Sequence, residues 1–235
     1  MASMIPLHDD NPTHIQPVLT ITFIVMCCLV FFWQFAHDEN GQILIVNQLG
    51  VIPAVLLDNL HINETQTWVP ASLTVFTSMF LHGGWMHLIG NMLYLWVFGN
   101  NIEDAMGHVK FVIFYLLCGV AAVFAQAIPD PNSVVPMVGA SGAISGVLGA
   151  YLLLYPRAKV LVGIPIFIYL HTMRLPAMWV LGAWFALQLF SSLATAGTEG
   201  GGVAFGAHIG GFIAGMVLIP FFKNPEFKIR LPFGK

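Results

Sequence analysis

Charged side chains are scarce in this chain of 235 residues. Asp, Glu, Lys and Arg together make up 8% of the sequence, whereas a soluble domain contains about 25%. Hydrophobic residues make up 57%. A soluble protein with so few charges could not cover its surface with polar groups, so the composition excludes that class and predicts an integral membrane protein.

Basic residues and cysteines are also few. Eight Lys and Arg against eleven Asp and Glu give a formal net charge of −3, which provides no basic surface for nucleic acid. The three cysteines, Cys27, Cys28 and Cys118, all lie within apolar segments. They are therefore interpreted as small core residues, and neither a disulfide framework nor a zinc site is expected.

The chain is rich in long apolar segments. Six of them approach the roughly 20 residues that cross a bilayer, and they cover residues 17–36, 85–101, 109–128, 140–156, 175–196 and 203–222. Continuous apolar runs indicate helices and not the strands of a closed barrel. The expected fold is an all-α bundle of six transmembrane helices. It comprises a tail at 1–16, a membrane domain at 17–222 and a basic tail at 223–235.

The basic residues segregate to one side of this six-span arrangement. All eight fall in the same set of loops and tails: Lys110, Arg157, Lys159, Arg174, Lys223, Lys228, Arg230 and Lys235. Because cytoplasmic loops carry an excess of Lys and Arg, both termini are predicted to be cytoplasmic. The apolar stretch 160–170 is too short to cross and contains Pro165. It predicts an interfacial segment on that side, with a longer fifth helix as the alternative.

Five polar residues lie near the outer ends of three predicted spans. His82, His87 and Asn91 are close to the start of the second span, Ser141 begins the fourth, and His208 lies near the start of the sixth. At 1.5 Å per residue all five fall within about 10 Å of the outer boundary. The pattern predicts one shared polar site beneath the outer surface.

Ser141 has the surroundings of a nucleophile. Gly139 and Gly142 flank it, and glycines permit close backbone approach, while the free N–H groups of a first helical turn face a developing anion. This arrangement suits acyl transfer. The alternative is a packing serine that bonds back to a carbonyl, which is common in membrane helices.

His208 is followed by Gly211 and Gly215, which continue its face along the helix. Such a flat stripe lets another helix approach closely. If that helix is the fourth span, His208 meets Ser141 and can take its proton. The alternative for a buried imidazole is a structural hydrogen bond between helices.

His87 and Asn91 share one face of the second span because they are four residues apart. Both can donate hydrogen bonds without carrying charge, as an oxyanion site requires, although a polar ladder between helices is the alternative. A structural role is at least as reasonable for His82. A metal site of His82, His87 and His208 is disfavoured, because no intramembrane Asp, Glu or Cys lies near to complete it.

These motifs together resemble the rhomboid family of intramembrane serine proteases. The resemblance covers about residues 70–220 and rests on four segments: HGGWMHLIGN with His87 and Asn91, FGNNIED at 98–104, GASG around Ser141, and AHIGGFIAG around His208. One departure is Ser145, which occupies a position where family members often carry an aromatic residue that stacks on the histidine. Another residue must then orient the imidazole.

The resemblance implies a Ser–His dyad that needs no metal or other cofactor. Ser141 would be the nucleophile and His208 the general base, while His87, Asn91 and the Ser141 backbone amide would hold the oxyanion. The expected substrates are membrane proteins cut in or beside a transmembrane segment. The expected location is a bacterial-type plasma membrane, with the site near its outer face. An inactive rhomboid-like protein that binds membrane clients is the alternative, and a small transporter is a weaker one.

Overall fold

Helices dominate the computed structural model, which describes residues 5–60, 67–166, 169–195 and 204–230. The helices are α1 Val18–Phe35, α2 Glu39–Leu49, α3 Pro53–Leu56, α4 Ala71–Thr77, α5 Trp85–Met106, α6 His108–Ala127, α7 Ser141–Leu154, α8 Ala177–Thr195 and α9 Phe205–Phe222. Three strands accompany them: β1 Ile5–Asp9, β2 Lys159–Ile166 and β3 Tyr169–Pro176.

Each of the six expected spans coincides with one of the longer helices. Four of these helices, α1, α6, α8 and α9, are long and apolar enough to cross a membrane. Helix α5 is long but ends in the polar sequence Asn-Asn-Ile-Glu-Asp-Ala-Met. Helix α7 has 14 residues and spans about 21 Å. The mostly helical membrane architecture is thus confirmed, with four candidate spans of full length.

Helix α7 lies at the centre of the bundle. Ten consecutive residues, 142–151, are all buried, and the helix packs chiefly against α9, with α6 and α5 on its other sides. A helix surrounded by other helices need not match the thickness of the lipid. This central position explains why a short helix can carry Ser141 at a fixed depth.

The expectation of an all-α fold is wrong at the end of the bundle where the chain leaves α7. An antiparallel sheet with strand order β1-β2-β3 forms there. The stretch 160–170, expected as an interfacial segment or as part of a longer fifth helix, instead supplies β2 and the start of β3. Val160 and Val162 are fully buried on one face of β2, so the segment follows the two-residue period of a strand.

The N-terminal region, expected as a tail, is packed against the bundle through β1 and polar contacts. Asp9 accepts hydrogen bonds from the Tyr151 hydroxyl at 2.6 Å and from the Asn101 amide at 3.0 Å. Glu103 accepts from the backbone N–H and the hydroxyl of Thr20. These contacts tie β1 and the start of α1 to α5 and α7, the helices that carry the polar site at their other ends.

The stability of this anchor is expected to depend on pH through Asp9. Burial raises the pKa of Asp9 above its usual 3.8, so the folded chain holds this proton more tightly than the unfolded chain does. The contribution of Asp9 is therefore full at acidic pH and is lost as the pH rises through the raised pKa. Thermal unfolding in detergent from about pH 4 to about pH 7 should show a larger drop in Tm for wild type than for Asp9→Asn. Equal drops would contradict the prediction.

Glycines place α7 and α9 in direct backbone contact. A Cβ atom added to Gly211 would lie 2.0 Å from the carbonyl oxygen of Gly142, and one added to Gly215 would lie 1.9 Å from that of Gly146. A Cβ on Gly149 would lie 2.1 Å from the carbonyl oxygen of Phe212. Any side chain at these positions must push the two helices apart.

We expect Gly215→Ala to destabilise the bundle by about 1–3 kcal/mol, because a methyl group there overpacks a backbone contact. Gly182→Ala on α8 is the matched control, since nothing lies within 4 Å of a Cβ added there. That control should be neutral or slightly stabilising, as alanine is the better helix former. Equilibrium unfolding in detergent measures both, and equal stabilities of the two variants would refute the close packing.

Candidate active site

The hydroxyl of Ser141 and the imidazole of His208 are in hydrogen-bond contact. Nε2 of His208 lies 2.9 Å from Oγ of Ser141. Ser141 is the first residue of α7 and His208 lies in the first turn of α9, so two helix starts bring the groups together. Both residues are only partly buried, so the pair is not sealed inside the bundle.

A different serine makes the bond to a main-chain carbonyl that is common in membrane helices. The hydroxyl of Ser145 donates to the carbonyl oxygen of Ser141 at 2.6 Å. The Ser141 hydroxyl faces the imidazole instead. The packing interpretation of a small serine therefore fits Ser145, whereas Ser141 has the partner that a nucleophile requires.

His87 lies against the turn that precedes Ser141. The backbone N–H of Gly83 donates to Nδ1 of His87 at 3.3 Å, which leaves the hydrogen of the neutral ring on Nε2. A Cβ added to Gly139 would lie 2.8 Å from this Nε2 and 3.6 Å from Oγ of Ser141. Gly139 has a φ of +125°, so both its conformation and its neighbour require glycine.

Asn91 is buried one turn further along α5, and its side-chain nitrogen has no hydrogen-bond partner. Such orphaned groups are rare because each loses its hydration without replacement. Among the described residues the other buried side-chain nitrogen in this state is Nε2 of His82. His82 is completely buried, and its ring centroid lies 5.2 Å from that of His87.

Two residues of α8 that the sequence motifs did not single out also contact His208. Oε1 of Gln188 lies 2.8 Å from Nδ1 of His208. The ring of Trp184 lies 5.8 Å from the imidazole, centroid to centroid. The sequence carries one available signal, because Gln188 is the single amide side chain in the segment 175–196.

The described residues contain no group of three His, Cys, Asp or Glu side chains that could hold a metal ion. The three histidines near the site instead have other neighbours. His208 contacts Ser141 and Gln188. His87 accepts from the N–H of Gly83, and Nδ1 of His82 lies 3.3 Å from the carbonyl oxygen of Phe80.

The sequence of this chain also matches a known domain family. The model of the Rhomboid domain matches residues 67–224. The chain belongs to the rhomboid family. The matched range agrees with the expected extent of about 70–220, and the resemblance seen in the motifs is confirmed.

Two curated rhomboid proteins each align with more than half of the chain. "Rhomboid protein 1, mitochondrial" of Saccharomyces cerevisiae is 31% identical over 156 residues, which are 64% of this chain and 42% of the relative. "Rhomboid protease GluP" of Bacillus subtilis is 32% identical over 137 residues, 58% of this chain and 24% of the relative. The chain thus spans less than half the length of either relative.

A third relative is also named as a mitochondrial protein. "Presenilin-associated rhomboid-like protein, mitochondrial" of Mus musculus is 30% identical over 163 residues, 67% of this chain and 40% of the relative. Family membership and the apolar helices together identify a multi-pass integral membrane protein. Because mitochondrial and bacterial relatives are about equally similar, the expected bacterial-type plasma membrane is not supported.

Asn91→Leu is expected to separate stability from activity. Removal of a buried amide whose nitrogen has no partner should leave the free energy of unfolding unchanged or raise it by about 1–3 kcal/mol. If the amide serves an oxyanion, cleavage should fall about 10²–10³-fold. Asn101→Leu is the contrast, because the Asn101 amide is bonded to Asp9 and its loss should lower stability. An Asn91→Leu variant that keeps full activity would remove Asn91 from the site.

Proposed function

We propose that the protein is an intramembrane serine endopeptidase that cleaves peptide bonds in or next to transmembrane segments of membrane proteins. The observation that carries the proposal is the 2.9 Å contact between Ser141 and His208. It joins a hydroxyl at the start of a central helix to an imidazole on a separate helix. Family membership supports the same chemistry, since one relative is named a protease.

In the proposed reaction, Oγ of Ser141 attacks the scissile carbonyl carbon while Nε2 of His208 takes the hydroxyl proton. The oxyanion of the tetrahedral intermediate would accept hydrogen bonds from His87, Asn91 and the Ser141 backbone N–H. His208 would then give its proton to the leaving amine as the C–N bond breaks. A water molecule activated by the same imidazole would hydrolyse the acyl-enzyme and restore Ser141.

The proposed topology has six crossings, formed by α1, α5, α6, α7, α8 and α9 within the membrane domain 17–222. Both termini and the sheet would then be cytoplasmic, together with the basic tail at 223–235. The dyad would lie at the opposite end of α7, close to the outer surface. This depth would supply the water that deacylation consumes, while a membrane-anchored substrate could approach from the surrounding lipid.

A serine-reactive fluorophosphonate probe and a generic single-span substrate in proteoliposomes test the proposal. Wild type should label and cleave, because His208 activates Ser141. Ser141→Ala should abolish both, and His208→Ala should reduce both by at least about 10²-fold. Ser145→Ala is the matched control one helical turn away, and it should retain labelling and cleavage.

Two outcomes would overturn the assignment. Labelling that persists in Ser141→Ala would place the nucleophile elsewhere. Binding of the single-span substrate without any cleavage by wild type would instead favour a client-binding protein.

A further inference from the structure

We propose that Gln188 positions His208 and so extends the pair of Ser141 and His208 to a triad. This inference rests on the proposed function. It starts from the contact of 2.8 Å between Oε1 of Gln188 and Nδ1 of His208. Gln188 is 9% exposed, so this amide is held among packed helices and not in solvent.

The bond selects one tautomer of His208. An amide oxygen only accepts hydrogen bonds, so Nδ1 of the imidazole must carry the hydrogen that it receives. In a neutral ring the other nitrogen, Nε2, then has a free lone pair. That nitrogen faces Oγ of Ser141 at 2.9 Å, where a general base has to accept the proton. The opposite tautomer would present an N–H to Ser141 and could not act as a base.

Helix α8 holds the ring through two side chains one turn apart. Trp184 lies beside the imidazole with an interplanar angle of 38°, and Gln188 follows four residues later on the same face. Position 145, where an aromatic residue could have held the ring from α7, is a serine whose hydroxyl bonds to the Ser141 carbonyl. The orientation of His208 is therefore supplied by α8.

A neutral acceptor suits this environment. A carboxylate at position 188 would have to be desolvated among apolar helices, whereas an amide avoids that cost. When His208 takes the serine proton, its Nδ1–H still donates to the amide oxygen, and the dipole stabilises the new positive charge. Asn has the corresponding role beside the histidine in Cys-His-Asn proteases.

Kinetics of Ser141-dependent cleavage test the inference. Gln188→Leu should lower kcat about 10- to 100-fold and leave KM within about twofold, because the acceptor contributes to chemistry and not to substrate binding. Gln188→Glu keeps an acceptor oxygen at the same distance along the side chain even if burial leaves its carboxyl group protonated, so it should recover at least about tenfold in kcat over the leucine variant. Gln34→Leu is the control for the loss of a buried amide, since Gln34 bonds to the His82 carbonyl and not to His208.

Several outcomes would overturn the inference. An unchanged kcat in Gln188→Leu would show that the bond does not matter, and equally low rates in the leucine and glutamate variants would indicate packing alone. A loss of kcat as large in Gln34→Leu would make the effect one of stability. Absence of Ser141-dependent cleavage in wild type would instead be a failure of the proposed function.

A measurement on the wild-type protein covers the case in which the variants do not fold. ¹⁵N NMR of histidine-labelled protein, with the His208 signals assigned by their absence in His208→Ala, reports which ring nitrogen carries hydrogen. The inference predicts a protonated Nδ1 and an unprotonated Nε2 near neutral pH. The reverse pattern would overturn it even if the enzyme cleaves its substrate.

Discussion

The backbone contact between α7 and α9 is the constraint on which the site depends. The carbonyl oxygens of Gly142 and Gly146 lie where a Cβ on Gly211 or Gly215 would have to be. Because both helices begin at the same end of this contact, their first turns are held in register. Ser141 and His208 can then meet although 67 residues separate them in the sequence. Fixing two helix axes in this way pre-organises a reaction that flexible loops could not align as well.

The buried polar groups at the two ends of the bundle differ in whether they have hydrogen-bond partners. At the sheet end Asp9 accepts hydrogen bonds from both Asn101 and Tyr151, which ties the N-terminal strand to α5 and α7. At the other end the side-chain nitrogens of Asn91 and His82 remain without partners. Buried polar groups without partners cost stability, and they persist where the surrounding structure is rigid enough to hold them. Helices α5 and α7 thus carry hydrogen-bonded polar groups that stabilise the fold at one end. At the other end they carry the candidate site, where polar groups without partners lie nearby.

Much of this arrangement was predictable from the sequence, since motifs and apolar periodicity report local structure. The stripe of His208, Gly211 and Gly215 predicted a close contact with another helix, which would bring His208 to Ser141 if that helix were α7, and the apolar runs located six helices. The sheet is not evident from the sequence because Val160 and Val162 lie within an apolar run, although their alternation also fits a strand. Gln188 was missed for another reason. Its being the single amide of an apolar span indicates an inward-facing position, but its contact with His208 depends on the packing of three helices, which no local pattern encodes.

The central claim is that Ser141 and His208 form a reactive pair across two helices. A reagent that acylates a serine and then alkylates an adjacent imidazole, such as a chloro-isocoumarin, tests the contact directly. Peptide mapping by mass spectrometry should find one reagent molecule linking the segment that contains Ser141 to the segment that contains His208, as their separation of 2.9 Å allows. Modification of Ser141 alone, or linkage of His208 to a different residue, would contradict the account.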